Sequence, residues 1–280
     1  MYLSVSSYSF EAIPLEGTLA IAKAMGFTRV DIGGFHARGR ASYEPDQVGA
    51  EPARFADHLR SLLDKYGLIA NDFFPQFGTS PNSRTVNDPD PAAIQQNLAA
   101  WRGIVQFCKA VGFKSITTLP GIDYPQRSRE ANLAKSAETL RRYVEMSGEH
   151  GIITCYEPHM GSLTPTPELA ADLCTRVPGL KVTLDPSHFT LQYIPLERMD
   201  VLIPLTGHVH VRQARPGKLQ TLHNEGTIDF VKLAEQLRAV GYENGLSLEY
   251  VCSEWYDVNR VDTLNETMLT LASLVPHVPQ

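Results

Sequence analysis

Cysteine is scarce and scattered in this sequence. Cys108, Cys155, Cys174 and Cys252 are the only four in 280 residues, and no CxxC pair or zinc-finger spacing occurs among them. Neither a disulfide framework nor a thiolate metal cluster is expected, and reduced, mostly buried thiols are. No apolar run approaches the roughly 20 residues that a membrane-spanning helix needs. The N-terminal segment MYLSVSSYSF has no basic stretch followed by a long apolar core, so a soluble, cytoplasmic protein without a membrane partner is expected. Basic residues are outnumbered: a net charge of −6 and a pI near 5.8 argue against a nucleic-acid partner, which requires a positive footprint. Phosphate cradles of the forms GxGxxG, GxxxxGKS and GxxxxGKT are missing, so no nucleotide cofactor is indicated, and no GxSxG nucleophile elbow occurs. A Gly/Ser-rich or Pro-rich linker is missing too, and residues 1–280 are expected to form one domain.

What is present is alternation. Short β-rich apolar runs near 2–7, 28–32, 68–73, 114–119, 152–157, 180–185, 207–212 and 245–251 alternate with amphipathic stretches near 15–25, 51–66, 91–111, 128–150, 166–176, 196–203, 229–240 and 258–274. Gly26, Gly67, Gly112, Gly151, Gly179 and Gly241 each fall between an amphipathic run and the next strand, where a helix C-cap glycine belongs. Eight βα pairs in a chain with 43% apolar residues predict a single (β/α)8 TIM barrel, an α/β fold for which this length is ordinary. The sixth helix is the weak unit, because Pro195 and Pro204 bracket only a short segment.

Four side chains stand at the downstream ends of the last four strands: Glu157 in ITCYEPH, Asp185 in KVTLDPSH, His210 in GHVHVR and Glu249 in LSLEYV. Their spacings of 28, 25 and 39 residues each leave room for a loop, a helix and a return to the next parallel strand. The C-terminal ends of barrel strands converge on one mouth, so the four would meet there. Three carboxylates and an imidazole make a hard, mostly oxygen donor set suited to one divalent cation with open positions. Side-chain alternation supports the placement: His208, His210 and Arg212 share one face of the seventh strand, Ser247 and Glu249 one face of the eighth, with the apolar residues opposite.

The order of Glu, a D-x-x-H step, an H-V-H-V run and a final Glu resembles the xylose-isomerase-like barrels, and more narrowly the sugar phosphate isomerase/epimerase group with the ketose 3-epimerases and inosose-processing enzymes. The resemblance covers nearly the whole chain in element order, with its specific motifs between about 152 and 251. It implies that Glu157, Asp185, His210 and Glu249 bind Mn²⁺, Mg²⁺ or Co²⁺, and that His188 and an arginine after the seventh strand hold substrate oxygens. Homodimers or homotetramers are common in families of this type.

The residue types carry the chemistry by themselves. Moving a proton beside a carbonyl requires a base and a means of stabilising the enediolate, which a cation bound to the carbonyl and adjacent hydroxyl supplies. Glu157 and Glu249 are the candidate acid/base pair, acting on a ketose, a keto-polyol or a phosphate ester of one. His188, His159, Arg212 and Arg215 are candidates for holding substrate oxygens; a surface ion pair would explain either arginine equally well. His208 reads as structural. Asp31, His36, Asp72 and Asp123 read as solvated or capping acids and an unassigned histidine, without a catalytic role. The segment Gln76–Pro91 reads as a long loop over the mouth. Trp255, Tyr256, Phe73, Phe74 and Phe77 offer apolar faces to a sugar ring, or serve a subunit interface or plain loop packing.

Several functions compete. A metal-dependent lyase on a keto-sugar, dehydrating an inosose or cleaving a 3-keto-glycoside, uses the same groups. It stays open because HVRQARPG lacks the acidic or lysine residue that epimerase-like members often carry there. Repair of DNA in the manner of endonuclease IV would need further histidines where this sequence reads NDFFPQF and TTLPGID. A non-enzymatic sugar-binding barrel would be favoured by loss of one of the four ligands, and all four are present.

Overall fold

The computed structural model describes residues 1–36, 40–252, 258 and 260–278. Nine strands form one parallel sheet: β1 (Tyr2–Ser6), β2 (Arg29–Phe35), β3 (Ser42–Tyr43), β4 (Ile69–Gln76), β5 (Ser115–Thr118), β6 (Ile153–Tyr156), β7 (Lys181–Leu184), β8 (Thr206–Val211) and β9 (Gly245–Leu248). Their order is β1-β9-β8-β7-β6-β5-β4-β2-β3, and β1 also pairs with β2. The sheet therefore closes through eight strands, with β3 attached only to the end of β2. This is the (β/α)8 barrel that the alternating pattern predicts. The predicted fifth to eighth strands are β6 to β9.

The helices lie outside: α1 (Leu15–Ala24), α2 (Pro45–Ala50), α3 (Pro52–Tyr66), α4 (Pro91–Val111), α5 (Arg129–Gly148), α6 (Pro167–Arg176), α7 (Pro186–Thr190), α8 (Phe230–Ala239) and α9 (Thr263–Leu274). The longest, α4, shows how sequence sets an element. Asp90 caps it by accepting from Ala92 N at 2.9 Å, Pro91 supplies the preset φ of a first turn, and Gly112 ends it at φ 98°. Ile94, Asn97, Trp101, Ile104, Val105 and Cys108 recur at helical spacing and are buried. Trp101 stacks on Tyr143 of α5 at 3.9 Å between centroids, and its Nε1 donates to Ser147 Oγ at 3.2 Å. All six glycines expected to close helices have positive φ.

Two predicted helices differ. The sixth is a 3-10 helix over Leu196–Leu205 with Pro204 inside it, because proline withdraws a donor and blocks α continuation. The last begins at Thr263, not 258, where the Asp262 carboxylate accepts from the N–H groups of Leu264 and Asn265. No helix among the described residues is long and apolar enough to cross a membrane. Cys108, Cys155 and Cys174 are buried free thiols, and Cys252 is an exposed one.

The barrel axis is polar. Asn71 Nδ2 donates to Asp31 Oδ1 at 2.7 Å, and Asp31 Oδ2 lies 2.7 Å from His208 Nε2. Ser115 Oγ donates to Asp72 Oδ1 at 2.5 Å, and the Thr117 and Thr183 hydroxyls meet across the barrel at 2.7 Å. Asp31 and Asp72 are thus strand residues within the barrel rather than the solvated loop acids expected. Burial pushes the Asp72 carboxyl up to about 6, with Asp31 adding to the rise and His208 opposing it. The structural reading of His208 fits its pairing with Asp31. Asp123 is exposed and pairs with Arg129; His36 pairs with Glu44 and Asp46.

Candidate metal centre

Glu157, Asp185, His210 and Glu249 are all buried, and one ligand-capable atom from each lies within 4.8 Å of every other. Each stands at the C-terminal end of its strand: Glu157 follows β6, Asp185 follows β7, His210 is near the end of β8 and Glu249 follows β9. Between the two glutamates, β7 and β8 intervene, so their carboxylates enter the centre from separated walls of the barrel. His210 Nδ1 lies 2.7 Å from Glu157 Oε1 and 3.2 Å from Glu249 Oε2. Ser6 Oγ, at the end of β1, donates to Glu249 Oε1 at 3.2 Å. Asp185 also caps α7, its Oδ1 accepting from Ser187 N at 2.8 Å.

The electrostatics ask for a cation. Burial pulls the His210 imidazole down, yet Glu249, Glu157 and Asp185 outweigh it and hold that pKa up at about 10. Burial raises Glu249 to about 7, with His210 opposing and Glu157 adding to the rise. Burial also acts to raise Glu157, but the His210 contact prevails and its pKa is lowered. Three buried carboxylates around one imidazole suit a divalent ion.

Arg212 sits beside the quartet. Its Nη2 donates to Asp185 Oδ2 at 2.5 Å and to His188 Nε2 at 3.0 Å, and its Nε donates to Ser187 Oγ at 2.9 Å. His188 therefore accepts on Nε2 and carries its proton on Nδ1. His159 is part-buried, lies ring to ring with His188 at 3.9 Å and pairs through Nδ1 with Met160 O at 2.8 Å. Glu157, His159 and His188 form a further group of metal-capable side chains. The guanidinium at His188 Nε2 places a positive charge beside that group.

A cavity of about 260 Å³ opens from these residues. Glu157, Glu249, His159, His188 and Arg212 line its floor, and Tyr8, Phe35 and Phe74 one wall. Ser80, Pro81 and Asn82 come from the predicted loop, which runs between the end of β4 at Gln76 and the start of α4 at Pro91. A larger cleft, about 560 Å³, lies at the opposite end of β6–β9 and touches none of the candidate ligands. The smaller cavity is where the perturbed groups converge.

Some predicted residues lie elsewhere. Arg215 is exposed, bridges to Lys218 in a surface turn beyond the end of β8 and does not line the cavity. Phe73 is fully buried against Phe107 and Phe113, on the helix side of β4, and Phe77 packs beneath the Arg84 guanidinium; of that trio only Phe74 lines the cavity. Trp255 and Tyr256 lie outside the described residues. Ser6, Ser187, Tyr8 and Phe35 were not singled out by sequence. A serine closing the first strand and the serine in DPSH were the available signals.

The sequence profile of the xylose isomerase-like TIM barrel family matches residues 19–274. The chain belongs to that family. A search of curated sequences found no match. Among solved structures, this xylose isomerase-like barrel is similar to a D-allulose 3-epimerase from Methylomonas sp. in complex with D-allulose: TM-score 0.76, 17% identity, covering 99% of this chain and 97% of that one. It is similar to the IolI protein with a bound zinc atom (TM-score 0.76, 15% identity, all of both chains). It is also similar to a 3-keto-D-glucoside 4-epimerase from E. coli (TM-score 0.72, 18% identity, 99% of both). At these identities the likeness is one of fold.

Proposed function

We propose that this barrel is a divalent-metal-dependent isomerase or epimerase of a keto-sugar, with Glu157, Asp185, His210 and Glu249 holding the ion and the two glutamates moving protons. The convergence of those four buried groups within 4.8 Å carries the reading. The proteins of like fold that are a D-allulose 3-epimerase and a 3-keto-D-glucoside 4-epimerase support the substrate class. When bound, the ion supplies a Lewis acid and a template for a carbonyl oxygen and its neighbouring hydroxyl.

The side chains supply the rest. Glu157 and Glu249 reach the centre from walls separated by two strands, so each faces a different side of a carbon beside the carbonyl. One carboxylate takes the proton from that carbon; the other returns a proton to the opposite face, which inverts the centre. Arg212, fixed by Asp185 and Ser187, presents its remaining N–H groups to the oxygens of the substrate and orients His188 beside it. His159 lies beside them on the cavity floor.

The same groups would serve a lyase if the substrate carries a leaving group at the β-carbon. Exchange of substrate carbon-bound hydrogen with D₂O, read by NMR together with product identity, tests both. Exchange with inversion supports the epimerase, loss of a β-substituent supports the lyase, and no exchange with any keto-sugar overturns the reading.

A further inference from the structure

The central cavity has a neighbour. A second cavity of about 150 Å³ adjoins it, and Pro81, Asn82, Leu119 and His159 are walls of both. Gly121 and Ile122 after β5 and Met160 to Ser162 after β6 complete it. Among its described lining there is no lysine, arginine or carboxylate.

We infer that the two cavities together take a keto-glycoside, with the keto-sugar at the glutamates and a neutral second sugar or aglycone in the adjoining cavity. This rests on the keto-sugar reading of the central site. Size favours it. One water takes roughly 10–15 Å³ of such space, so the second cavity offers roughly ten water positions. A pyranosyl group, with about eleven non-hydrogen atoms, is of that order.

Charge disfavours a phosphate group in the second cavity, whose described lining has no lysine or arginine. A phosphate dianion calls for basic donors. Arg212 is the one lysine or arginine in the described lining of the central cavity, and its Nε and Nη2 are engaged by Ser187, Asp185 and His188. The second cavity instead offers what a sugar ring needs. Leu119, Ile122 and Met160 present apolar surface to ring C–H groups. Ser162 Oγ accepts from His159 N at 3.3 Å and Thr164 N at 3.2 Å, which leaves its hydroxyl hydrogen to donate to an oxygen.

The walls are tied together. Asn87 clamps Ile122 from both sides, its Oδ1 accepting from Ile122 N at 3.1 Å and its Nδ2 donating to Ile122 O at 2.7 Å. Arg84, at φ 49°, forks onto Asp46 at 2.5 and 3.0 Å and donates to Asn97 Oδ1 at 3.1 and 2.8 Å, while Asn97 Nδ2 returns a bond to Arg84 O at 2.8 Å. Both anchors follow Pro81 and Asn82 in the chain, so the segment is held on its C-terminal side and the Ile122 wall is preformed.

The test uses the full chain loaded with Mn²⁺ and follows C–H to C–D exchange in D₂O. The substrates are a 3-keto-disaccharide, methyl 3-keto-glucoside, a free ketohexose and a ketohexose phosphate. The disaccharide is expected to exchange with a kcat/KM at least about tenfold above the others, and the phosphate to be slowest. Ile122→Trp, which fills the second cavity away from the ion, should erase that advantage while metal content and exchange of the methyl glycoside stay within about twofold. Asn82→Ala should lower the disaccharide rate in the same direction and serves if the tryptophan variant does not fold. A wild-type preference for the free ketose, the methyl glycoside or the phosphate overturns the inference, as does an equal loss for disaccharide and methyl glycoside in Ile122→Trp. No exchange with any of the four overturns the keto-sugar reading itself.

Discussion

Arg212 and Asp185 form a buried ion pair at 2.5 Å, each almost fully inaccessible and each directly following one of two adjacent barrel strands, β8 and β7. The pair binds the centre to the DPSH segment, because Arg212 also bonds Ser187 and His188. Its geometry depends on the planar fork of arginine and not on charge alone.

Arg212→Lys keeps the charge and loses the fork. Hydrogen bonds to charged groups contribute about 1.5–3 kcal/mol each. The variant is therefore expected to retain its metal and to lose about 10- to 100-fold in kcat/KM. Steady-state kinetics alongside elemental analysis check this.

Metal binding should strengthen with pH and release protons. His210 is held up at about 10 and Glu249 at about 7 in the metal-free chain, and an ion must displace the protons they carry. The metal-free fold has its own dependence. His210, raised above its unfolded value of 6.5, contributes stability fully present below pH 6.5 and lost as pH rises through about 10. Glu249, raised from 4.5, binds more protons folded than unfolded, so its contribution weakens as pH rises from 4.5 through about 7. Calorimetric titration with Mn²⁺ at pH 6, 7 and 8 in buffers of different ionisation enthalpy reads the released protons.

Asp31 and His208 pair deep in the barrel and group with His210 of the quartet, although neither is one of the four proposed ligands. Asp31→Ala leaves a buried histidine without its counter-ion and is expected to cost about 3–5 kcal/mol of stability. Metal content at saturating ion should be unchanged. Urea unfolding and elemental analysis separate the two effects.

Gly103 of α4 lies so close to α2 that a β-carbon would sit 1.9 Å from Gly49 O. Gly103→Ala must push the helices apart, at a cost of about 1–3 kcal/mol or more. A fall in the thermal midpoint with kcat preserved well below it is the expected result.

The barrel was legible because its signals are local and repeat: six glycines stop helices, and period-two runs such as HVHV fix which residues face the axis. The quartet was legible because strand ends in a closed barrel have one meeting place. Other features depended on long-range packing. Arg212 and Arg215 look alike in VRQARPG, yet one continues the inward face of β8 and the other lies in an exposed turn. Asp31 and Asp72 resemble loop acids until the closed sheet encloses them. Phe73 and Phe74 are neighbours in sequence, and strand alternation sends the first to the helices and the second to the cavity. Ser6 reaches Glu249 only because β1 closes the sheet against β9.

The central claim is that Glu157, Asp185, His210 and Glu249 hold one divalent ion. Elemental analysis of the chain after chelation and reloading with Mn²⁺ tests it most directly. The wild type should carry one ion per chain, and Asp185→Ala and His210→Ala should carry almost none while retaining native circular dichroism. Undiminished metal in both folded variants would contradict the assignment.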